Sequence, residues 1–347
     1  MIIVEKSGAL TTIQDAGRFG FERFGVSPSG PMDNRSFTLA NLLVGNPRQA
    51  AALEMTIIGP ALRFTEPAVI AFTGANMAPA LDGKPLPLYT AVAVPAGSML
   101  RTGFAPDGCR SYLAVAGGFD VPEVMGSRAT SIQNKIGGLK GRKLQNGDEL
   151  KTRTPSLPLE KLAGKTLPQE HFWQERPAVL RVLLGPQEDE FTQGGVATFL
   201  NSIYQVGSDS NRMGYRLQGQ VIEHRGDGNI ISDGIVTGSV QVPTAGLPIV
   251  MLAERQTVGG YPKIATVISV DLPKIGQCRP GDQVRFQKVE LEEAQKLYQA
   301  YQNELNQLEK KLQQPAPGPA TCPAASVHSY SIRVGETLYQ VTVQERK

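Results

Sequence analysis

YTAVAVPAGSMLRTGFAPDGCRSYLAVA, residues 89–116, reads as two strands, 89–94 and 110–116, with the turns PAGSML and FAPDGC between them. Small, β-branched and aromatic residues fill the strands, while Pro, Gly and Asp end them. The same punctuation spreads outward. Residues 10–14 and 69–73 read as strands on one side, and 179–184, 228–232, 248–253 and 264–270 on the other. Composition agrees: 37 Gly and 25 Pro against 6% aromatic residues favour many short strands joined by tight turns. The expected fold is mainly β.

Two helical patterns interrupt the strands. In residues 33–44, Phe37, Leu39, Ala40, Leu42 and Leu43 share a face, with Asp33 as N-cap and Gly45 as stop. In 289–314, Leu291, Ala294, Leu297, Tyr298, Tyr301, Leu305, Leu308 and Leu312 recur at helical steps, an amphipathic face expected to pack on its own protein. These marks divide the chain into a first β lobe (1–155), a linker (156–177), a second β lobe (178–288), a helix (289–314) and a proline-rich linker with a terminal hairpin (315–347). The lobes end alike, in LQNGDEL (144–150) and CRPGDQV (278–284), an echo too short to establish duplication.

Several function classes drop out. A net charge of +3 with scattered basic residues lacks the basic stripe that nucleic-acid binding needs. No apolar run is long enough to span a bilayer, and MIIVEKSG is too short for a signal-peptide core. Cys109, Cys278 and Cys322 form no C-x-x-C, so a reducing cytoplasm is expected. His171, His224 and His328 lack metal-ligand spacing, which leaves general acid–base work to Asp, Glu, Lys or Tyr. No G-x-x-x-x-G-K-[ST] occurs. GGLKGRK (137–143) reads as a flexible basic loop able to close over an anion, and Arg212 or Arg216 could equally hold a phosphate or carboxylate.

Seven segments together carry a more specific signal: TIQDAGRFGFERFGVSPSGPMDNRSFTLANLLVGN (12–46), LEMTIIGPALRF (53–64), FTGANMAP (72–79), YLAVAGGFDVPEVMGSRATS (112–131), GSDSNRMGYRL (207–217), SDGIVTGSVQVP (232–243) and MLAERQTVGGYPK (251–263). In this order they resemble the allophanate hydrolase subunit 2 family, a group of biotin-dependent carboxyltransferase type that includes the C subunit of 5-oxoprolinase. The resemblance runs from residue 1 to about 286. It implies two cyclophilin-like β-barrel lobes with a cleft between them. It also implies ATP-dependent hydrolysis of 5-oxoproline to glutamate, carried out with subunits B and A, with ATP on or shared with the partner.

Within these motifs certain residues suit a lactam carrying a carboxylate. Arg255 offers a planar fork for the carboxylate, and Gln256 has the donor and acceptor that a lactam requires. Gly259 and Gly260 allow backbone N–H groups near an oxyanion, and Tyr261 follows them. Arg216 and Asn76 are further candidates for binding substrate. Lys263 and Arg212 are expected to neutralise developing charge, and Asp233 stands between an Asx-turn role and substrate contact. The bland alternatives remain open: a solvated hairpin loop at 254–263, and Tyr215 with Arg216 bracing a barrel rim.

Two other functions compete. One is a carboxyltransferase for urea or a related amide. The tail YSIRVGETLYQVTV resembles the first strands of a biotin-carrier domain, but without Met-Lys-Met the biotin is expected on another chain. The other is a binding module that antagonises a kinase inhibitor.

Overall fold

A computed structural model describes residues 1–170, 174–313, 327–334 and 337–344. Residues Met1–Gln313 form one compact unit, and Gln314–Lys347 a second.

The first half of the chain builds two sheets. One has five strands in the order Leu10–Gln14, Ala52–Thr56, Arg110–Val115, Ala68–Gly74 and Ala91–Val94. The other has six: Glu149–Leu150, Ile2–Lys6, Ala61–Phe64, Met99–Arg101, Ala80–Leu81 and Lys84–Pro85. Their facing sides share one core, in which Ile13, Leu53, Ile70, Phe72, Leu113 and Val115 meet Val4, Leu62, Phe64 and Leu100. On its other face the five-stranded sheet is covered by the helix Asn34–Leu43, whose Phe37, Leu39, Ala40 and Leu43 pack on Val69, Ala71, Tyr112 and Ala114. Both faces are covered, so all six residues of RSYLAV (Arg110–Val115) are buried and the strand shows no polar alternation. The helix begins as its sequence prescribes: the Asp33 side chain accepts from Ser36 N at 2.9 Å.

The second half closes a seven-stranded barrel, in the order Ala178–Leu184, Lys263–Val267, Ser239–Gln241, Ile249–Met251, Gly214–Gln218, Ile203–Val206 and Gln283–Lys288. Parallel pairing of the first and last strands seals it. Strand alternation is clean here: Tyr215 and Leu217 point into the core while Arg216 and Gln218 point out. Phe199 stacks on Phe286, ring centroids 4.3 Å apart. From the barrel the helix Leu291–Gln313 returns to the first lobe, where Leu305 and Leu312 are buried beside Phe37 and Leu42. Arg35–Glu304 and Arg48–Glu309 ion pairs, each 2.6 Å, flank it.

The mainly β expectation holds, with local differences. The first lobe is a pair of packed sheets, whereas the second is a closed barrel. Residues 228–232 are not a strand: Ile231 is 94% exposed, and only Asp233–Gly234 pairs, with Val258–Gly259, in a short ribbon. An apolar pair there mimicked a core strand. The 156–177 segment docks Leu162 and Leu167 against the first lobe. By itself, the terminal unit is an antiparallel hairpin of Val327–Val334 with Thr337–Gln344.

Candidate functional site

The two lobes meet through buried charge. Glu54, on the strand Ala52–Thr56, accepts from Met32 N and the Tyr112 hydroxyl, each 2.8 Å, and from Arg212 of the second lobe. Arg212 also donates to Glu254 (2.9 Å) and to the Gly30 carbonyl (2.7 Å). Burial disfavours its charge, but Glu54 and Glu254 outweigh burial and hold its pKa up. Beside it, Gln277 uses all four of its hydrogen-bonding positions. It accepts from Cys109 N and Arg110 N, both 2.9 Å, and donates to Asp33 (2.7 Å) and the Arg110 carbonyl (2.8 Å). Burial pushes the Asp33 carboxyl up to about 6, against the hydrogen bonds from Ser36 and Gln277.

This junction positions the loop that follows Met251. Ser29 N donates to the Ala253 carbonyl (3.0 Å), and Ser27 Oγ to that of Arg255 (2.7 Å). Thus anchored, the loop leads Gln256 and Tyr261 over the outside of the barrel. Under them lies a cavity of about 260 Å³, floored by outward residues of three strands: Gly214 and Arg216, Ile249 and Met251, and Gln241. Asn211 completes the polar lining. A larger cavity, about 620 Å³, lies between the barrel and the helix Leu291–Gln313, but no charged side chain lines it. Convergent polar groups favour the smaller one.

Inside it the amides form a relay. Gln241 donates from Nε2 to the Tyr261 carbonyl (3.2 Å), and its Oε1 accepts from Gln256 Nε2 (3.3 Å). At the cavity wall Arg216 is 57% exposed and pairs with Asp209 at 3.0 Å.

Of the residues singled out from sequence, Arg216, Gln256 and Tyr261 line this one cavity. Lys263 is the register partner of Gln241 on the adjoining strand, at a bulge that breaks the regular alternation. It is buried, with Nζ 2.8 Å from Asp233, whose carboxyl is held down at about 2 chiefly by that contact. Gly259 pairs with Asp233 in the ribbon, and Gly260 accepts from Ile230 N at 2.9 Å. None of these four lines the cavity, and three further residues lie elsewhere. Arg212 is enclosed at the lobe junction between two carboxylates, which leaves its charge already neutralised. Arg255 is 4% exposed, with Nε on the Ile235 carbonyl (3.0 Å) and Nη1 without a partner among the described residues. Asn76, in the first lobe, caps a local turn by accepting from Ala78 N at 2.8 Å. Among the described residues, no group of His, Cys, Asp and Glu is arranged to hold a metal.

This pairing of sheets and barrel has a counterpart among known proteins. The model of the carboxyltransferase domain, subdomain A and B, matches residues 24–288. The chain belongs to that carboxyltransferase family. The C subunit of 5-oxoprolinase from Escherichia coli K12 is 39% identical over 315 residues, covering 90% of this chain and 99% of that protein. Urea amidolyase of Lachancea kluyveri is 34% identical over 88% of this chain, but only 18% of that protein is covered. Among solved structures, the Kluyveromyces lactis urea carboxylase superposes with a TM-score of 0.81 at 28% identity, over 99% of this chain and 32% of that one.

Within this carboxyltransferase-family chain, sequence reasoning passed over Gln241 and Asn211. Gln241 sits in SVQVP, where it looks like one polar residue in an apolar strand, and its signal was its outward place in the alternation. Nothing in Asn211's own position distinguished it from its polar neighbours.

Proposed function

We propose that this chain is a hydrolase component of the 5-oxoprolinase C type, opening 5-oxoproline to L-glutamate at the expense of ATP, with subunits B and A as partners. The likeness to the Escherichia coli 5-oxoprolinase component carries this reading: 39% identity over 90% of this chain and 99% of that protein, against 34% identity for the urea amidolyase. The cavity supports it chemically. At about 260 Å³ it is below the ~300–1,000 Å³ of drug-sized sites, which suits a compact ring.

In this reading Gln256 holds the lactam and Arg216 exchanges Asp209 for the substrate carboxylate, with Tyr261 at the rim. Lys263, on the strand beside Gln241 and paired with Asp233 of the ribbon, supplies positive charge toward the opening amide. Arg212 is a strut between the lobes, and Arg255 braces the loop under Gln256. The cavity wall holds one guanidinium, Arg216, and a triphosphate calls for several cations and a metal. We therefore assign nucleotide binding to the partner side, where ATP supplies the phosphoryl group that makes the lactam oxygen a leaving group. No helix among the described residues is long and apolar enough to cross a membrane, and Cys109 and Cys278 are buried free thiols, which accords with a cytoplasmic setting.

Transfer of a carboxyl group to an amide is the second reading, favoured by the family match at 24–288. It would draw on biotin attached to a separate carrier. Mixing the chain with subunits B and A and following glutamate and phosphate from 5-oxoproline separates the two. The first reading expects turnover that needs every component and no biotin. Turnover by the lone chain, or dependence on a biotinylated carrier, would overturn it.

A further inference from the structure

A side-chain amide can present its oxygen or its nitrogen to a given neighbour, and packing alone seldom decides which. In the relay of Gln241 and Gln256 a backbone group decides. The Tyr261 carbonyl can only accept, so Gln241 must turn its Nε2 toward it. Its Oε1 then faces Gln256, which must answer with a donor. One Gln256 N–H is consumed in this way, and its Oε1 and second N–H remain. When the N–H given to Gln241 is the one anti to the amide oxygen, Oε1 and the second N–H share one edge, an acceptor beside a donor.

We propose that Gln241 is a positioning residue that locks Gln256 to read a cis amide, meaning one whose N–H and C=O lie on the same edge. This deepens the lactam reading above and rests on it. A lactam ring enforces that geometry, and a primary amide such as urea offers it too. An open-chain secondary amide is trans and presents its N–H and C=O on opposite edges. Two hydrogen bonds would form with the first class and one with the second. A single pocket chemistry thus covers the two substrate types that appear in the names of this chain's relatives.

The backbone enforces the lock from below. A Cβ on Gly259 would stand 2.7 Å from Gln241 Nε2 and 2.8 Å from Ile235 Cδ1, so even alanine there displaces the amide. Gln241 itself is 1% exposed, which keeps water from competing for its two bonds.

The test is a titration followed through the side-chain NH2 resonances of Gln256, using 5-oxoproline and, as the trans amide bearing a carboxylate, N-acetylglycine. Wild type should show saturable shifts with 5-oxoproline and at least tenfold weaker binding of N-acetylglycine, about the worth of one hydrogen bond. Gln241→Met and Gly259→Ala should each bring the two affinities within about threefold, while the barrel's backbone spectrum stays folded. Equal binding of both ligands by wild type, no binding of either, or undiminished selectivity in both variants would overturn the proposal. Turnover with the partner subunits is a separate readout. Selective binding without glutamate formation would sink the 5-oxoprolinase reading and leave the cis-amide pocket standing.

Discussion

The junction around Arg212 and the cavity around Gln256 use the same kinds of side chain to opposite ends. At the junction Arg212 and Gln277 spend their donors on acceptors of this chain: Arg212 has Glu54, Glu254 and Gly30, and Gln277 has four partners. In the cavity Gln256 meets one neighbour, and Arg216 holds an exposed carboxylate that competes with water. Saturated buried polar groups fix a geometry, because removing one partner strands the rest. Polar groups with capacity left over are what a ligand can use. The contrast marks Arg212 as structural and leaves Arg216 as the one with capacity for the proposed substrate, although the two lie four residues apart in one motif.

Breaking the junction should have the largest effect. Arg212→Met strips Glu54 and Glu254 of the cation they hydrogen-bond, leaving only Arg110 at 3.9 Å from Glu54, and loss of one partner of such a pair costs about 3–5 kcal/mol. Denaturant unfolding reads this as a lower midpoint. A stable variant that had merely lost activity would move Arg212 into the site.

Asp33 should make stability depend on pH, by about 3 kcal/mol. Its folded carboxyl titrates near 6, above the 3.8 of an ordinary aspartate, so the native state holds a proton that the unfolded chain has released. The contribution of this group therefore falls as pH rises from about 4 to 6. Asp33→Asn should flatten that slope in melting curves taken across the window, and an unchanged slope would place the titration elsewhere.

On the cavity side, Arg216→Ala should raise KM for 5-oxoproline about tenfold while changing stability by less than about 0.5 kcal/mol, because its ion pair is exposed. An unchanged KM would return Arg216 to the barrel rim. Smallest of all is the effect of cutting the chain after Gln314. Gln314–Lys347 forms a compact unit of its own, so the melting temperature should stay within about 2 °C. A larger drop would show the hairpin stabilising a lobe.

Much of the fold was legible because local signals agreed with it. Asp33 caps its helix, and the period-3.6 face of Leu291–Gln313 packs as its pattern prescribes. Apart from 228–232, the strands read from Gly and Pro punctuation lie within a few residues of those in the structure. The helix Gln193–Asn201 was hidden by Gly194 and Gly195, which weaken helix propensity. Gly195 is there for close approach, its would-be Cβ blocked by the Glu223 backbone. The site was legible in kind and blurred in detail. Gln256, Tyr261 and Arg216 stand out as residue types, but sequence could not say that Arg255 turns inward while its neighbour turns out. That depends on Ser27 and Ser29 holding the loop from more than two hundred residues away.

The most direct test of the account compares glutamate formation from 5-oxoproline by the complete complex carrying wild-type chain or Gln256→Leu. A leucine keeps the size and removes both atoms that would read the lactam. The account predicts ATP-dependent turnover for wild type and a loss of at least tenfold for the variant, with melting temperatures within a few degrees of each other. Equal turnover by the two would show that the lactam is held elsewhere.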